Sequence, residues 1–531
     1  MMDHLGSWLQ LSMIGTAMND LVERLHLRGL TCRILFALAG ATQLVSTCVS
    51  NETGNQVPSK PPNIVLILAD DQAWMDFGFM GNQRVHTPNL DTLASKSARF
   101  RNGYVPSSVC RPSLATILTG LYPHQHGIHF NHGPPGNSGY NQMTSRSEYE
   151  ARRQNEFDLI QRFETLPALL AKHKGYRCLQ TGKFWEGHYR NAGFTDGMTT
   201  FTPPHKDQTF GGIRELASGE QVSHGNGDHG LIIGRKTMRP IKDFIQECER
   251  FNTPWLVWYA PYLPHLPHDA PDQFQKLAAS HPGILPWEQP YFASIAQFDS
   301  TVGELVKIVS SESQSSNTLF IFLSDNGWRP SSIPSKQNPQ EYTQTKRSKR
   351  APFDDGVRTP ILIRWDGVIR PQTENGICSS IDLLPTLLGA AGIPITPDIS
   401  LPGINLLDFL KDDKPVPPDR SIFGEIYPGD ATSLNSASHD IAYRWIRKGS
   451  MKLIIPHFNS VSNESSSKSN LNQPNQIKSK AWNNYVGEES LFDLSRDPYE
   501  KQNLIHSKLH ASDLEELKSE LNDWWQPTGS P

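Results

Sequence analysis

The chain has 531 residues, 37% of them hydrophobic and 20% charged, with a formal net charge of -4. That balance excludes a disordered polymer, and acidic and basic residues are interspersed, with no basic stripe of interleaved aromatics to suggest a nucleic-acid partner. The length allows several ordinary domains or one large α/β sheet with an appendage, and 40 prolines with 39 glycines imply many loops.

Residues 1–50 read as a targeting segment. Arg28 and Arg33 flank the start of the apolar run "ILFALAGA" (34–41), which gives way to the small and polar "TQLVSTCVSNETG". The residues before the run are expected to mean a true start at Met18 or a long n-region. The run is too short to span a bilayer, and nothing downstream approaches transmembrane length. Export to a periplasmic or extracellular location is therefore expected. "LVSTC" is a poor lipobox, so lipoprotein anchoring at Cys48 is the lesser alternative.

"PPNIVLILADDQ" (61–72) predicts a strand buried on both faces, punctuated by Pro61 and Pro62 and ending in carboxylates. "TPNLDTLASKSARF" (87–100) has helical spacing. "SSVCRPSLATILTG" (107–120) reads as a short helix closed by Thr-Gly, with a cysteine at its mouth. "TPWLVWYAPYLPH" (253–265) and "NTLFIFLSDNG" (317–327) repeat the design of an apolar strand ending in polar groups. "YFASIAQFDSTVGELVKIV" (291–309) between them is a helix by its apolar period. With "RTPILIRWDG" and "SSIDLLPTLLGAAGI", this alternation predicts an α/β domain over 61–415 with a large, mostly parallel sheet flanked by helices. "SIFGEIY", "AYRWIRKGSMKLII" and "ESLFDLSRDP" predict a small C-terminal antiparallel sheet within 416–531. The helix "ASDLEELKSELNDWW" would lie on it, and the polar insertion at 459–480 reads as a loop.

Of six cysteines, Cys32 and Cys48 fall in the leader. Cys110, Cys178, Cys248 and Cys378 show no C-x-x-C spacing, and a disulfide among the last three is open in an oxidising compartment.

Ligands of open α/β sheets sit beyond the carboxyl ends of the strands. Two strands deliver hard oxygen groups there: Asp70 and Asp71, and Asp325 and Asn326. Either pair alone is an ordinary turn or cap; together they suit Ca²⁺ or Mg²⁺ rather than zinc or copper. A lone cysteine is ordinarily a packing residue. At a helix mouth, with Pro112 in the first turn and a cation site near, Cys110 is instead a candidate nucleophile precursor.

"ADDQ", "SSVCRPSLATILTGLYP", "TGKFWEGH", "APYLPHLPH", "SDNG", "SKRAPFDDGVRTP" and "LFDLSRDPYEKQNL" resemble, in order and spacing, the motifs of the formylglycine-dependent sulfatases of the alkaline-phosphatase superfamily. The resemblance covers most of residues 61–505. It implies hydrolysis of a sulfate ester, with a sulfated carbohydrate as the favoured substrate. The nucleophile would be a formylglycine made from Cys110 by a formylglycine-generating enzyme, which would be a transient partner. One hydroxyl of the hydrated aldehyde would attack sulfur and the other would later expel sulfate. Asp70, Asp71, Asp325 and Asn326 would hold the metal, with the modified Cys110 completing its shell. Lys183 and Lys349 match the lysines that grip the sulfate, and His265 matches the histidine that protonates the leaving oxygen.

Two departures stand out. The usual C-x-P-S-R reads C-R-P-S-L here, so Leu114 replaces an arginine that contacts the nucleophile. Arg111, three residues away on the helix, is expected to send its guanidinium toward the same pocket. In "GKFWEGH", Trp185 stands where the family commonly has histidine, and His188 is the candidate substitute. The segments 144–160 and 224–230 are candidates to line the substrate mouth, with His224 and His229 left as loop histidines. Two rivals remain: a phosphoester or phosphonate hydrolase on the same fold, and an inactive sulfate- or glycan-binding homologue with an unconverted Cys110.

Overall fold

The computed structural model describes residues 60–527, except 206–209, 314–316, 337, 339–340, 396–399, 413 and 458–486. The leader with Cys32 and Cys48, and the whole 459–480 insertion, lie outside the described residues.

Sixteen strands are described: β1 (Asn63–Ala69), β2 (Ala98–Tyr104), β3 (Arg177–Gly182), β4 (Asp196–Gly197), β5 (Ile213–Glu215), β6 (Gln221–Ser223), β7 (Trp255–Ala260), β8 (Thr318–Ser324), β9 (Pro330–Pro334), β10 (Tyr342–Gln344), β11 (Ile361–Trp365), β12 (Gln372–Ser379), β13 (Ser421–Ile426), β14 (Tyr443–Lys448), β15 (Met451–Pro456) and β16 (Ser490–Asp493). Eight of them form the main sheet in the order β12-β2-β11-β8-β1-β7-β3-β4. Every recorded pairing in it is parallel except those of β11, which runs antiparallel to both β2 and β8.

β1 is buried along its whole length, as its unbroken apolar run requires. Ile64, Leu66 and Leu68 enter one apolar cluster and Val65, Ile67 and Ala69 another, so the central strand feeds cores on both faces. Helices cover those faces: Leu166–Lys174 and Leu383–Ala390 on the first, Arg239–Arg250 and Gln289–Glu312 on the second. The helix predicted over 87–100 spans Pro88–Ser95, and its expected tail opens β2, where β-favouring packing against β11 and β12 prevails over the helical period.

The second sheet is antiparallel, β13-β14-β15-β16, and the helix Ala511–Trp524 packs Leu517 and Leu521 against Ile446, Leu453 and Leu491 of its strands. Its other face shares a core with Tyr104 and Ile377 of the main sheet. Among the described residues no helix is long and apolar enough to cross a membrane.

The four described cysteines are free and buried, so the disulfide left open by the sequence does not form among them. Cys248 packs on the opposite face of the main sheet from Cys178 and Cys378. The latter two lie on β3 and β12, which the other strands of the sheet separate. At roughly 4.8 Å per strand, that gap is far beyond disulfide reach.

Candidate active site

The carboxyl ends of β1, β8, β3, β7 and β2 lead to one place. In the β1–β8 pair Ala69 lies opposite Ser324, so the residues that follow, Asp70 and Asp325, leave the sheet side by side. Asp71 takes a left-handed φ of 64°. Its N–H is held by Asp325 Oδ1 at 3.1 Å, and its Oδ1 accepts the Asn326 amide at 2.6 Å. Such a conformation costs on the order of 1–3 kcal/mol and persists only where the surroundings fix it.

Cys110 opens the helix Cys110–Thr119, which ends at left-handed Gly120. Lys183 follows Gly182 at the end of β3. Gly182 has φ +74°, and a Cβ there would lie 1.9 Å from the Ala260 carbonyl of β7, so only glycine allows this turn. The turn brings Lys183 Nζ to 2.8 Å from both Asp70 oxygens and 3.2 Å from Cys110 Sγ. Cys110 Sγ is 4.0 Å from Asp70 Oδ1. Lys349 Nζ reaches Asp71 at 2.7 Å, and His265 Nε2 lies 3.4 Å from Asp71 Oδ2. The predicted Asp70, Asp71, Cys110, Lys183, His265, Asp325, Asn326 and Lys349 thus converge.

Burial dominates the electrostatics. It pushes the Cys110 thiol up to about 12, against the pull of Lys183 and Lys349, so the thiol stays protonated near neutrality. Burial, with Asp71 adding like charge, raises Asp325 despite Lys183. It opposes charge on Asp71 too, but Lys349, His265 and Lys183 hold that carboxyl below its usual range. Burial opposes charge on Lys183, and Asp70 overrides it and keeps the ammonium ionised. Burial and Lys183 lower His265 well below its usual value; its Nδ1 donates to the Leu266 carbonyl at 2.6 Å, leaving the Nε2 lone pair facing the cluster.

The donor set fits a hard divalent cation. Ligand atoms of Asp70, Asp71, Cys110 and His265 lie within 4.8 Å of one another, and Asp325 Oδ2 and Asn326 Oδ1 are buried without a partner among the described residues. Crowded carboxylates with unpartnered oxygens are what Ca²⁺ or Mg²⁺ relieves. His265, read from sequence as a proton donor, also stands within reach of that centre.

Arg111 does not turn toward the nucleophile, contrary to expectation. It is fully buried, with Nε and Nη2 donating to Glu186 at 2.9 and 2.7 Å and Nη1 to Glu156 Oε2 at 2.8 Å. Two acceptors in the neighbouring layer outcompete a pocket already holding two lysines. No local pattern signals this pairing, because Glu186 lies 75 residues from Arg111. Leu114 joins the apolar core. His188 caps the short turn Tyr189–Ala192, accepting the Arg190 N–H at 3.2 Å and packing its ring 4.4 Å from Tyr189; none of its recorded bonds reaches the cluster.

A family model described as Sulfatase matches residues 62–393. The chain belongs to the sulfatase family. This sulfatase is 28% identical over 384 residues to arylsulfatase A of Homo sapiens, covering 70% of this chain and 72% of that protein. It is 25% identical over 493 residues to an ulvan-active sulfatase of Formosa agariphila, covering 92% and 84%. Its fold is shared with Ps i-CgsB, solved with k-i-k-neocarrahexaose, at a TM-score of 0.60 and 20% identity over 88% of this chain and 94% of that one. It is also shared with BT4656, solved with D-glucosamine-2-N,6-O-disulfate, at 0.57 and 18% over 88% and 97%. The sulfatase is a sulfuric ester hydrolase with a metal-capable acidic cluster.

Proposed function

We propose that the protein is an exported sulfatase of sulfated carbohydrates, acting through a formylglycine derived from Cys110. The observation that carries this reading is the contact of Cys110 Sγ with Lys183 at 3.2 Å, beside Asp70. A thiol raised to about 12 is a poor nucleophile as it stands, which favours its conversion. Formylglycine would supply a geminal diol there. A Ca²⁺ or Mg²⁺ ion held by Asp70, Asp71, Asp325 and Asn326 would supply Lewis acidity and lower the pKa of the attacking hydroxyl. Lys183 and Lys349 orient the sulfate and stabilise charge on its oxygens. His265, kept neutral by burial and Lys183, takes up a proton from solvent as the anionic ester arrives and delivers it from Nε2 to the leaving oxygen. The carbohydrate class is supported by relatives named for ulvan and for N-acetylgalactosamine 6-sulfate. Export rests on residues 1–50.

Mass spectrometry of the Cys110 peptide, from protein secreted by a host with the modifying enzyme, tests the reading. An aldehyde in place of the thiol, with 4-nitrophenyl sulfate hydrolysed in preference to 4-nitrophenyl phosphate, is the expected result. A fully unmodified thiol from the native source would overturn it in favour of a binding protein. A preference for the phosphate would point to the phosphoester reading.

A further inference from the structure

Next to the reaction site lies a second group of polar side chains that the mechanism does not use. The rings of His132, Trp185 and His224 form a closed triangle, with centroid separations of 5.4 Å (132–185), 5.7 Å (185–224) and 5.3 Å (132–224). Trp185 is two residues past Lys183, whose Nζ stands 6.0 Å from its ring centroid. On the far side, His132 Nδ1 donates to Asp430 Oδ1 at 3.1 Å. The neighbouring Gly429 has φ +106°, and a Cβ there would come within 3.1 Å of the Arg350 guanidinium, one residue past Lys349. The triangle therefore lies between the turns that carry the two sulfate-gripping lysines.

Its hydrogen-bond inventory is unbalanced. Among the described residues Arg214, 4% exposed, bonds only neutral groups: the Asn137 carbonyl at 2.9 Å, the Asn137 side chain at 2.8 Å, the Asn141 side chain, His224 Nε2 at 3.2 Å and the Tyr149 hydroxyl. No carboxylate pairs with it among the described residues. Because His224 Nε2 accepts from Arg214, the ring proton of the neutral imidazole sits on Nδ1. That N–H, Trp185 Nε1–H and Arg214 Nε–H are all buried without an acceptor among the described residues, three idle donors against one idle acceptor in the triangle, His132 Nε2. Burial, with His132, Arg214, Arg153 and Lys183 around it, holds His224 well below its usual pKa, so added positive charge is resisted there. A buried cation without a counter-ion is costly, and idle buried donors add to the cost. His224 is half-buried and Asp430 exposes 41% of its side chain, so the group communicates with the surface on that side.

The geometry points to a subsite at Arg214, His224 and Trp185 that binds a second oxyanion of the substrate while the scissile sulfate lies between Lys183 and Lys349. The oxyanion is a further sulfate on the same sugar or the carboxylate of an adjoining uronate. The inference rests on the sulfated-carbohydrate reading and narrows it to substrates with at least two anionic groups. Trp185, a departure from the family motif, then has a role as donor and as ring face.

Calorimetry on the full, unconverted chain in calcium-containing buffer separates binding from turnover. Three probes suffice: N-acetylgalactosamine 6-sulfate, its 4,6-disulfate, and the 6-sulfated sugar linked to glucuronate. One doubly anionic probe is expected to bind about tenfold tighter than the first, and which one does so identifies the source of the oxyanion. Arg214→Gln and His224→Gln should each reduce that gain to about twofold or less, and Arg214→Lys should keep part of it. His224 is half-buried, so its variant covers the case in which Arg214→Gln fails to fold. Equal affinity for all three probes, or a gain that survives in both glutamine variants, overturns the inference and leaves water as the occupant. Hydrolysis of 4-nitrophenyl sulfate by converted enzyme decides the sulfatase reading separately, so the two can fail independently.

Discussion

Arg111 is the most informative single residue. Its guanidinium joins the helix that carries Cys110 to the turn that carries Lys183, through Glu186, and also reaches Glu156. Both Arg111 and Glu186 lie inside matched sulfatase motifs, and Arg111 fills the variable position of the first. Glu186 has no other side-chain bond recorded among the described residues. Glu156 keeps Arg153 whatever happens to Arg111, so removing Arg111 alone strands the Glu186 charge, whereas removing Arg111 and Glu186 together does not. Arg111→Met should therefore cost ~3–5 kcal/mol of unfolding free energy. Arg111→Met with Glu186→Leu should cost less than the single variant. Urea denaturation of the two variants checks this, and a double variant weaker than the single would show that the pair does not act as a unit.

At the scale of elements, the segment 223–232 is docked on the end of β3. Cβ atoms at Gly227 and Gly230 would fall 2.7 and 2.9 Å from the Gly182 carbonyl, so this loop approaches the lysine turn backbone to backbone. Asp228 in that loop is buried, accepts the Ser223 hydroxyl through Oδ1, and has no partner for Oδ2 among the described residues. Burial pushes its carboxyl from 3.8 up to about 7. Between those values the folded chain holds a proton that the unfolded chain releases. The group's contribution is thus complete at low pH and is lost as pH rises through about 7. Asp228→Asn keeps the shape and removes the ionisation. Its Tm advantage over the wild type should grow from pH 5 to pH 8, reach a few degrees, and level off at the alkaline end. A pH-independent difference in thermal melts would place the proton elsewhere.

For the whole molecule, the acidic cluster joins β1 and β8 at the centre of the main sheet, so its occupancy bears on stability as well as on turnover. Asp325 Oδ2 and Asn326 Oδ1 are buried without partners among the described residues. A divalent ion bound only by the folded state stabilises it by mass action. Treatment with a chelator should abolish hydrolysis of an aryl sulfate and lower Tm, and added Ca²⁺ should restore both. Restoration by Mg²⁺ alone would reverse the metal preference, and activity and Tm both indifferent to chelation would count against a metal-dependent site.

The amino-acid order alone makes legible the alternation of buried strands and helices, the small C-terminal sheet, and the delivery of Asp70, Asp71, Asp325 and Asn326 to one sheet edge. Those features are local: an apolar run of strand length, its period, and the polar residues that end it. It also placed Cys110, Lys183, His265 and Lys349, because ordered motifs carry position as well as composition. Tertiary structure alone decided the antiparallel course of β11, the early end of the helix before β2, and the partners of Arg111. It also kept Cys178, Cys248 and Cys378 apart and set His188 away from the cluster. The triangle of His132, Trp185 and His224 belongs with these, since its members come from three separate loops. The physical reason is common to all: a buried charge or ring is assigned by the competition among neighbours, and those neighbours are tens to hundreds of residues away along the chain.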